Sequence, residues 1–154
     1  MPLIINDDTD ICSKTDACGV HLGLGDGSIE EARNILGESK IIGATAHNLE
    51  EALAAEVAGA DYIGVGAAFG SKSKFNAVKL PSLDVYNMIT ASVKIPVVAI
   101  GGINRNNISD LEGRGLSGVA VISALFSSSD IKKSTEELRA SAEKLSGGMK
   151  RASK

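Results

Sequence analysis

Tryptophan is absent and other aromatics are scarce: two tyrosines and three phenylalanines make up 3% of 154 residues. With so few aromatic faces, a base-stacking platform for single-stranded nucleic acid is excluded. Positive charge is not in excess either. Sixteen Lys and Arg stand against 19 Asp and Glu, for a net charge of −3, the opposite of the basic footprint that grips a phosphate backbone. No apolar run approaches the roughly 20 residues that cross a bilayer, and the opening MPLIINDD lacks the positive n-region of a secretory signal. Cysteine occurs twice, at Cys12 and Cys18, too few for a disulfide framework and at no common metal spacing. Both are expected to be structural thiols of a cytoplasmic protein. The remainder, 44% apolar and 23% charged, is ordinary for a globular domain. Its length predicts one domain with a sizeable core.

The chain alternates two periodicities. Short apolar, β-branched runs lie at 3–5, 20–22, 41–44, 62–65, 97–100 and 119–121. None alternates with polar residues, which suits strands of a parallel sheet buried on both faces. Helical patterns separate them. Residues 28–36, SIEEARNIL, offer an N-cap Ser28 with Glu31 three residues on, a capping box. In NLEEALAAEVAGAD, Asn48 is the predicted N-cap, apolar positions recur at helical spacing, and Gly59 is the stop. Residues 83–90, 107–112 and 135–145 are compatible with helix. Strand and helix in alternation predict βαβ units, an α/β protein with six strands and about six helices. The domain is expected to span 1–145, with SGGMKRASK at 146–154 as a disordered tail.

Loops of unusual composition follow the strands: NDDTD, GLGDG, TAHN, GAAFGSKSK, GGINRNN and ISALFSSS. In parallel α/β folds the site lies at the carboxyl ends of strands. Asp7 and Asp8 follow the first strand and Asp26 the second, so carboxylates could converge on a hard cation such as Mg2+. The competing reading makes Asp7 or Asp8 the N-cap of the next helix, and Asp26 a turn residue. Gly101-Gly102, with Ser123 on the neighbouring loop, suits a phosphate approached by backbone N–H groups, although a GG pair also makes a tight turn. Two Ser-Lys pairs at Ser71-Lys72-Ser73-Lys74 suit an anion, or a solvated loop. His47 could be an acid–base group or a packing residue at a helix start. His21, within a buried strand pattern, is expected to be a satisfied core histidine.

Six stretches together carry a more specific signal: PLIIND, GVHLG with Asp26 beyond it, IIGATAHNLEEA, GADYIGVGAAFGSKSK, PVVAIGGIN and GVAVISALF. In this order, over nearly the whole chain, they resemble the thiamine phosphate synthase family. The resemblance implies a TIM-type (β/α)8 barrel and a transferase of thiamine biosynthesis. Such an enzyme joins hydroxymethylpyrimidine diphosphate to thiazole phosphate in a Mg2+-dependent reaction that releases pyrophosphate. It also implies residue roles. Asn6 would contact the diphosphate, Asp7 and Asp26 would hold the metal, and Thr45 stands where the family usually has Ser near the reacting centre. Ser71 and Ser73 stand where it usually has Thr, Lys74 would grip the leaving pyrophosphate, and Gly102, Ile122 and Ser123 would receive the thiazole phosphate. Leu24 departs from the family pattern, which has Gln there.

The family pattern begins with two further βα units that bring cationic residues to the diphosphate, and Met1 here precedes what matches the third strand. The expected architecture is therefore a barrel truncated at its N-terminus to about six βα units. Its open edges would be covered by a second copy or by a partner supplying strands, and activity alone would be reduced. Two other functions stay open: a thiazole tautomerase, which would use His47 and no metal, and a non-catalytic paralogue or fragment that binds phosphate. No nucleic acid or membrane is expected as a partner.

Overall fold

The computed structural model describes residues 2–70 and 79–145; the tail expected at 146–154 lies outside them. Six parallel strands form one sheet: β1 Ile4–Asn6, β2 Gly19–Leu22, β3 Ile41–Ala46, β4 Tyr62–Val65, β5 Val97–Ile100 and β6 Gly118–Ala120. Their spatial order is their order in the chain. That sequential, all-parallel arrangement belongs to a curled half-barrel rather than to a doubly wound sheet, whose strand order reverses. The helices are α1 Thr9–Ser13, α2 Ile29–Leu36, α3 Leu49–Val57, α4 Asp84–Ser92, α5 Ser123–Phe126 and α6 Ile131–Leu145, with a 3-10 turn at Ile108–Leu111.

The helix starts follow the capping chemistry. Ser28 Oγ accepts the Glu31 amide at 3.0 Å and Asn48 Oδ1 accepts the Glu51 amide at 2.9 Å, each satisfying an amide that the first turn leaves without a partner. Gly59, at φ +94, takes the left-handed conformation just past the end of α3. The stretch 107–112 is a 3-10 turn rather than an α-helix. Helix α6 begins at Ile131, four residues ahead of the expected 135.

Burial alternates along the strands, which the apolar runs did not announce. Val20, Leu22, Ile42, Ala44, Ala46, Ile63, Val65, Val97 and Ala99 are buried in the main cores. Ala44, Ala46, Ile63, Val65, Val97 and Ala99 cluster with Ala52 and Ala55 of α3, Val85, Tyr86 and Ile89 of α4, and Leu138 and Leu145 of α6, while Val20, Leu22 and Ile42 cluster with Cys12 of α1 and Ala32 of α2. The alternate residues His21, Thr45, Tyr62, Val98 and Ile100 are half-buried and line a concave cavity. Both-face burial is therefore corrected. Among the described residues the six strands curl without closing, so the helix-covered face is buried and the inner face is open along β1 and β6.

Side chains lock the helices to the sheet. Arg33 of α2 donates to the carbonyls of Lys40 and Gly59 and to Asp61, whose Oδ2 also accepts the Ile42 amide at 2.7 Å. Glu56 of α3 accepts the amides of Lys94 and Ile95 at the approach to β5. Among the described residues, no helix is long and apolar enough to cross a membrane.

Candidate active site

The concave face and the loops at the carboxyl ends of the strands enclose a cavity of about 860 Å3. Six of the ten residues expected at the site line it: Asn6 at the end of β1 and Asp7 after it, Thr45 on β3, Gly102 after β5, and Ile122 and Ser123 after β6. His21, His47, Tyr62 and Leu24 line it as well. Ser71, Ser73 and Lys74 lie outside the described residues.

The adjacent aspartates divide their roles. Asp8 is the N-cap of α1, its Oδ1 accepting the Ile11 amide at 2.8 Å. Asp7 lines the cavity, with φ at +67 and its amide donating to the His21 carbonyl at 2.8 Å. A non-glycine residue in that region is uncommon, and Asp is among the types that tolerate it. Asp26 holds its own loop, since its Oδ2 accepts the Gly23 amide at 2.9 Å. The turn reading of Asp26 thus describes one of its two oxygens.

Among the described residues, no group of three or more His, Cys, Asp or Glu stands ready for a metal ion. Mg2+ asks for less, taking one or two carboxylates and completing its shell with water and phosphate oxygens. Asp7 and Asp26, exposed at the ends of adjacent strands, fit that donor requirement, Asp26 with one oxygen committed to Gly23.

Three strands build the cavity's polar wall. His21 of β2 is opposite Gly43 of β3, which is opposite Tyr62 of β4. With no side chain between them, the two rings meet over Gly43: His21 Nδ1 lies 2.9 Å from Tyr62 Oη, with ring centroids 5.4 Å apart. A Cβ on Gly43 would run into the Tyr62 ring, and one on Gly64 would lie 3.1 Å from His21 Cε1. On its other side, His21 Nε2 is 3.0 Å from Thr45 Oγ1. His21 is satisfied, as expected, but it faces the cavity rather than the core. Its link to Tyr62 is not legible one strand at a time; the signal is Tyr62 and His21 at aligned strand positions flanking a glycine. Burial pushes the Tyr62 hydroxyl up from its ordinary value.

His47 is held by α3: its Nδ1 lies 2.9 Å from Glu51 Oε2, which also accepts the His47 amide at 2.7 Å. Burial raises the Glu51 carboxyl, but the bonds from His47 and Asn48 outweigh it and hold the group below the ordinary glutamate value.

The GG loop is set by close approach. Gly101 and Gly102 have φ of +92 and +67, and a Cβ on Gly102 would lie 2.6 Å from the Gly70 carbonyl. Asn104 and Asn107 both donate to the Gly102 carbonyl at 3.1 Å. Glycine is therefore required here by the neighbouring β4 loop, and the same pair leaves Gly102 backbone at the cavity wall.

The family model described as thiamine monophosphate synthase matches residues 1–125. The chain is 51% identical over 135 residues to a thiamine-phosphate synthase of Fusobacterium nucleatum, covering 88% of this chain and 65% of that relative. It is 46% identical to one from Clostridium botulinum strain Eklund 17B, covering 94% and 68%. The solved thiamine phosphate pyrophosphorylase of Pyrococcus furiosus superposes with a TM-score of 0.84 at 43% identity, over 94% of this chain and 68% of that one. The chain thus spans about two thirds of the length of these relatives. On these grounds, the chain belongs to the thiamine monophosphate synthase family.

Proposed function

We propose that the strand-end cavity is the substrate site of a thiamine phosphate synthase, a transferase coupling hydroxymethylpyrimidine diphosphate to thiazole phosphate. The observation that carries this reading is the convergence of Asn6, Asp7, Thr45, Gly102, Ile122 and Ser123, from four strand ends, on one cavity. In the reaction the C–O bond to pyrophosphate breaks, leaving a resonance-stabilised pyrimidine methyl cation, and the thiazole nitrogen then forms the new C–N bond. The main catalytic demand is to stabilise charge on the leaving group and to hold two substrates in line. Mg2+, when bound, supplies part of that charge compensation. Asp7 and Asp26 would hold it. Asn6 and the Thr45 hydroxyl would contact the diphosphate, and Lys74, with Ser71 and Ser73, would clasp the pyrophosphate as it leaves. The Gly102 backbone, Ile122 and Ser123 would anchor the thiazole phosphate and so aim the ring nitrogen. Leu24, 64% exposed at the cavity rim, offers only apolar contact.

The same reading treats 1–145 as the barrel domain and 146–154 as a tail. Its setting is the cytoplasm, supported by two cysteines that stay unpaired. It also includes association through the open edges, as a homo-oligomer or with a partner supplying strands. Among the described residues each edge strand pairs on one side only, and exposed Leu3 and Ile11 near β1 and Ile122 and Phe126 beyond β6 lie nearby. The test is to mix both substrates with the chain in Mg2+ or in excess chelator and follow thiamine phosphate by chromatography. Product formed only with Mg2+, and lost in Asp7→Asn, supports the assignment. Equal yields in chelator would sink the metal role.

A further inference from the structure

We propose that Tyr62 is a positioning residue for the coupling reaction, acting through His21 to aim the Thr45 hydroxyl into the cavity. The inference rests on the synthase reading, and concerns a residue to which that reading gives no part. Tyr62 Oη, His21 and Thr45 Oγ1 form a hydrogen-bonded row across β4, β2 and β3, with spacings of 2.9 and 3.0 Å. A neutral imidazole donates from one nitrogen and accepts at the other, so the row has a direction. Tyr62 sets it. A phenol carries its proton at neutral pH and is a stronger donor than an aliphatic hydroxyl, so in this row Nδ1 accepts from Tyr62 and Nε2–H donates to Thr45 Oγ1. Accepting from His21 with one lone pair, Thr45 keeps its own proton for the cavity, where it can donate to an oxygen of an anionic substrate. In the opposite direction Thr45 would spend its proton on His21 and present only lone pairs to a diphosphate.

The geometry is purpose-shaped for this contact. The two rings reach each other only because Gly43 lies between them in register, and His21 packs on Gly64. Tyr62 reaches the reacting groups through two intermediaries, so its effect falls on the diphosphate that Thr45 contacts and not on the thiazole phosphate.

The experiment joins two readouts. Long-range proton–nitrogen spectra of the chain with 15N-labelled histidine report the tautomer of each ring, and His47→Asn assigns the two sets of signals. The expected result is the Nε2–H tautomer for His21, redistributed toward Nδ1–H in Tyr62→Phe. In the coupling assay, Tyr62→Phe is expected to lower kcat about tenfold and to raise KM for the pyrimidine diphosphate, with KM for thiazole phosphate changed less than twofold. Adding Tyr62→Phe to Thr45→Ala is expected to cost nothing further. A purely structural tyrosine would lower thermal stability, leave the tautomer unchanged and give additive losses. Nδ1–H in the unmodified protein, a tautomer indifferent to Tyr62→Phe, or additive losses would each overturn the proposal. Should the unmodified chain make no thiamine phosphate, the synthase reading fails by itself, while the tautomer still decides the direction of the row.

Discussion

Replacing Gly43 with alanine tests the inner wall without removing any polar group. An added methyl would lie 2.5 Å from Tyr62 Oη and closer still to the ring carbons. Ordinary carbon–oxygen contact begins near 3.4 Å, so the hydroxyl must retreat by about 0.9 Å. A displacement of that size is enough to take a 2.9 Å hydrogen bond to His21 beyond useful length. Overpacking costs about 1–3 kcal/mol and loss of the bond about 1 kcal/mol. Tyr62 is half-buried and borders open cavity, so the ring has somewhere to go and the overpacking cost falls at the low end. Reduced freedom of the unfolded chain returns about 0.5–1 kcal/mol. The net is roughly 1–2 kcal/mol, or about 3–6 °C in Tm for a chain of this length. Activity should fall much as it does in Tyr62→Phe, although every hydrogen-bonding group is still present. Thermal unfolding by circular dichroism, run beside the coupling assay, reads both. An unchanged or raised Tm, with His21 still bonded to Tyr62, would refute the packing argument.

Asp7 and Asp8 should separate stability from function. Asp8→Ala removes the α1 cap and is expected to cost about 1 kcal/mol in denaturant unfolding, with Mg2+-dependent activity largely retained. Asp7→Gly relieves a left-handed residue, so it should hold or raise Tm while abolishing activity. In the core, Tyr86 donates to the Val65 carbonyl at 2.9 Å from full burial. Tyr86→Phe leaves that acceptor without its partner and should cost about 1–2 kcal/mol by urea titration. Glu51 and Asp84 both have carboxyls held below their ordinary values, Asp84 chiefly by hydrogen bonds from Arg114 and Ser82. A depressed folded value means stability present above the ordinary carboxylate range and lost as pH falls through the folded one. Their contribution to Tm should therefore hold from neutral pH down to about 5 and be lost below about 4, with a shallower fall in Glu51→Gln.

Much of this molecule is legible in its sequence, for reasons that differ from element to element. Asn48 and Ser28 announce their helices because capping is local chemistry, decided by side chains three residues from the amides they satisfy. Strands β4 and β5 fall where the apolar runs place them because four β-branched or apolar residues between turn signals have few alternatives. The short helix α1 is announced only by its cap, Asp8, since TDICS carries no helical periodicity. The inner face is harder to read. His21, Gly43 and Tyr62 lie far apart in the chain, and only the strand register makes them neighbours. Their meeting is a property of the sheet, invisible to a pattern read one strand at a time. For the site, the family resemblance marks Asn6, Thr45 and Ser123, and the fold brings them to one cavity. The division between Asp7 and Asp8 needs backbone geometry, because either carboxylate could have capped α1.

The central claim is that these strand ends perform the coupling, and a single comparison bears on it most directly. The unmodified chain and Lys74→Ala are incubated with both substrates and Mg2+, with thiamine phosphate and pyrophosphate measured together and folding checked by circular dichroism. The expected result is equal molar amounts of the two products from the unmodified chain, and neither from a folded Lys74→Ala. Near-normal turnover in Lys74→Ala, or no coupling by the unmodified chain at saturating substrates, would contradict it.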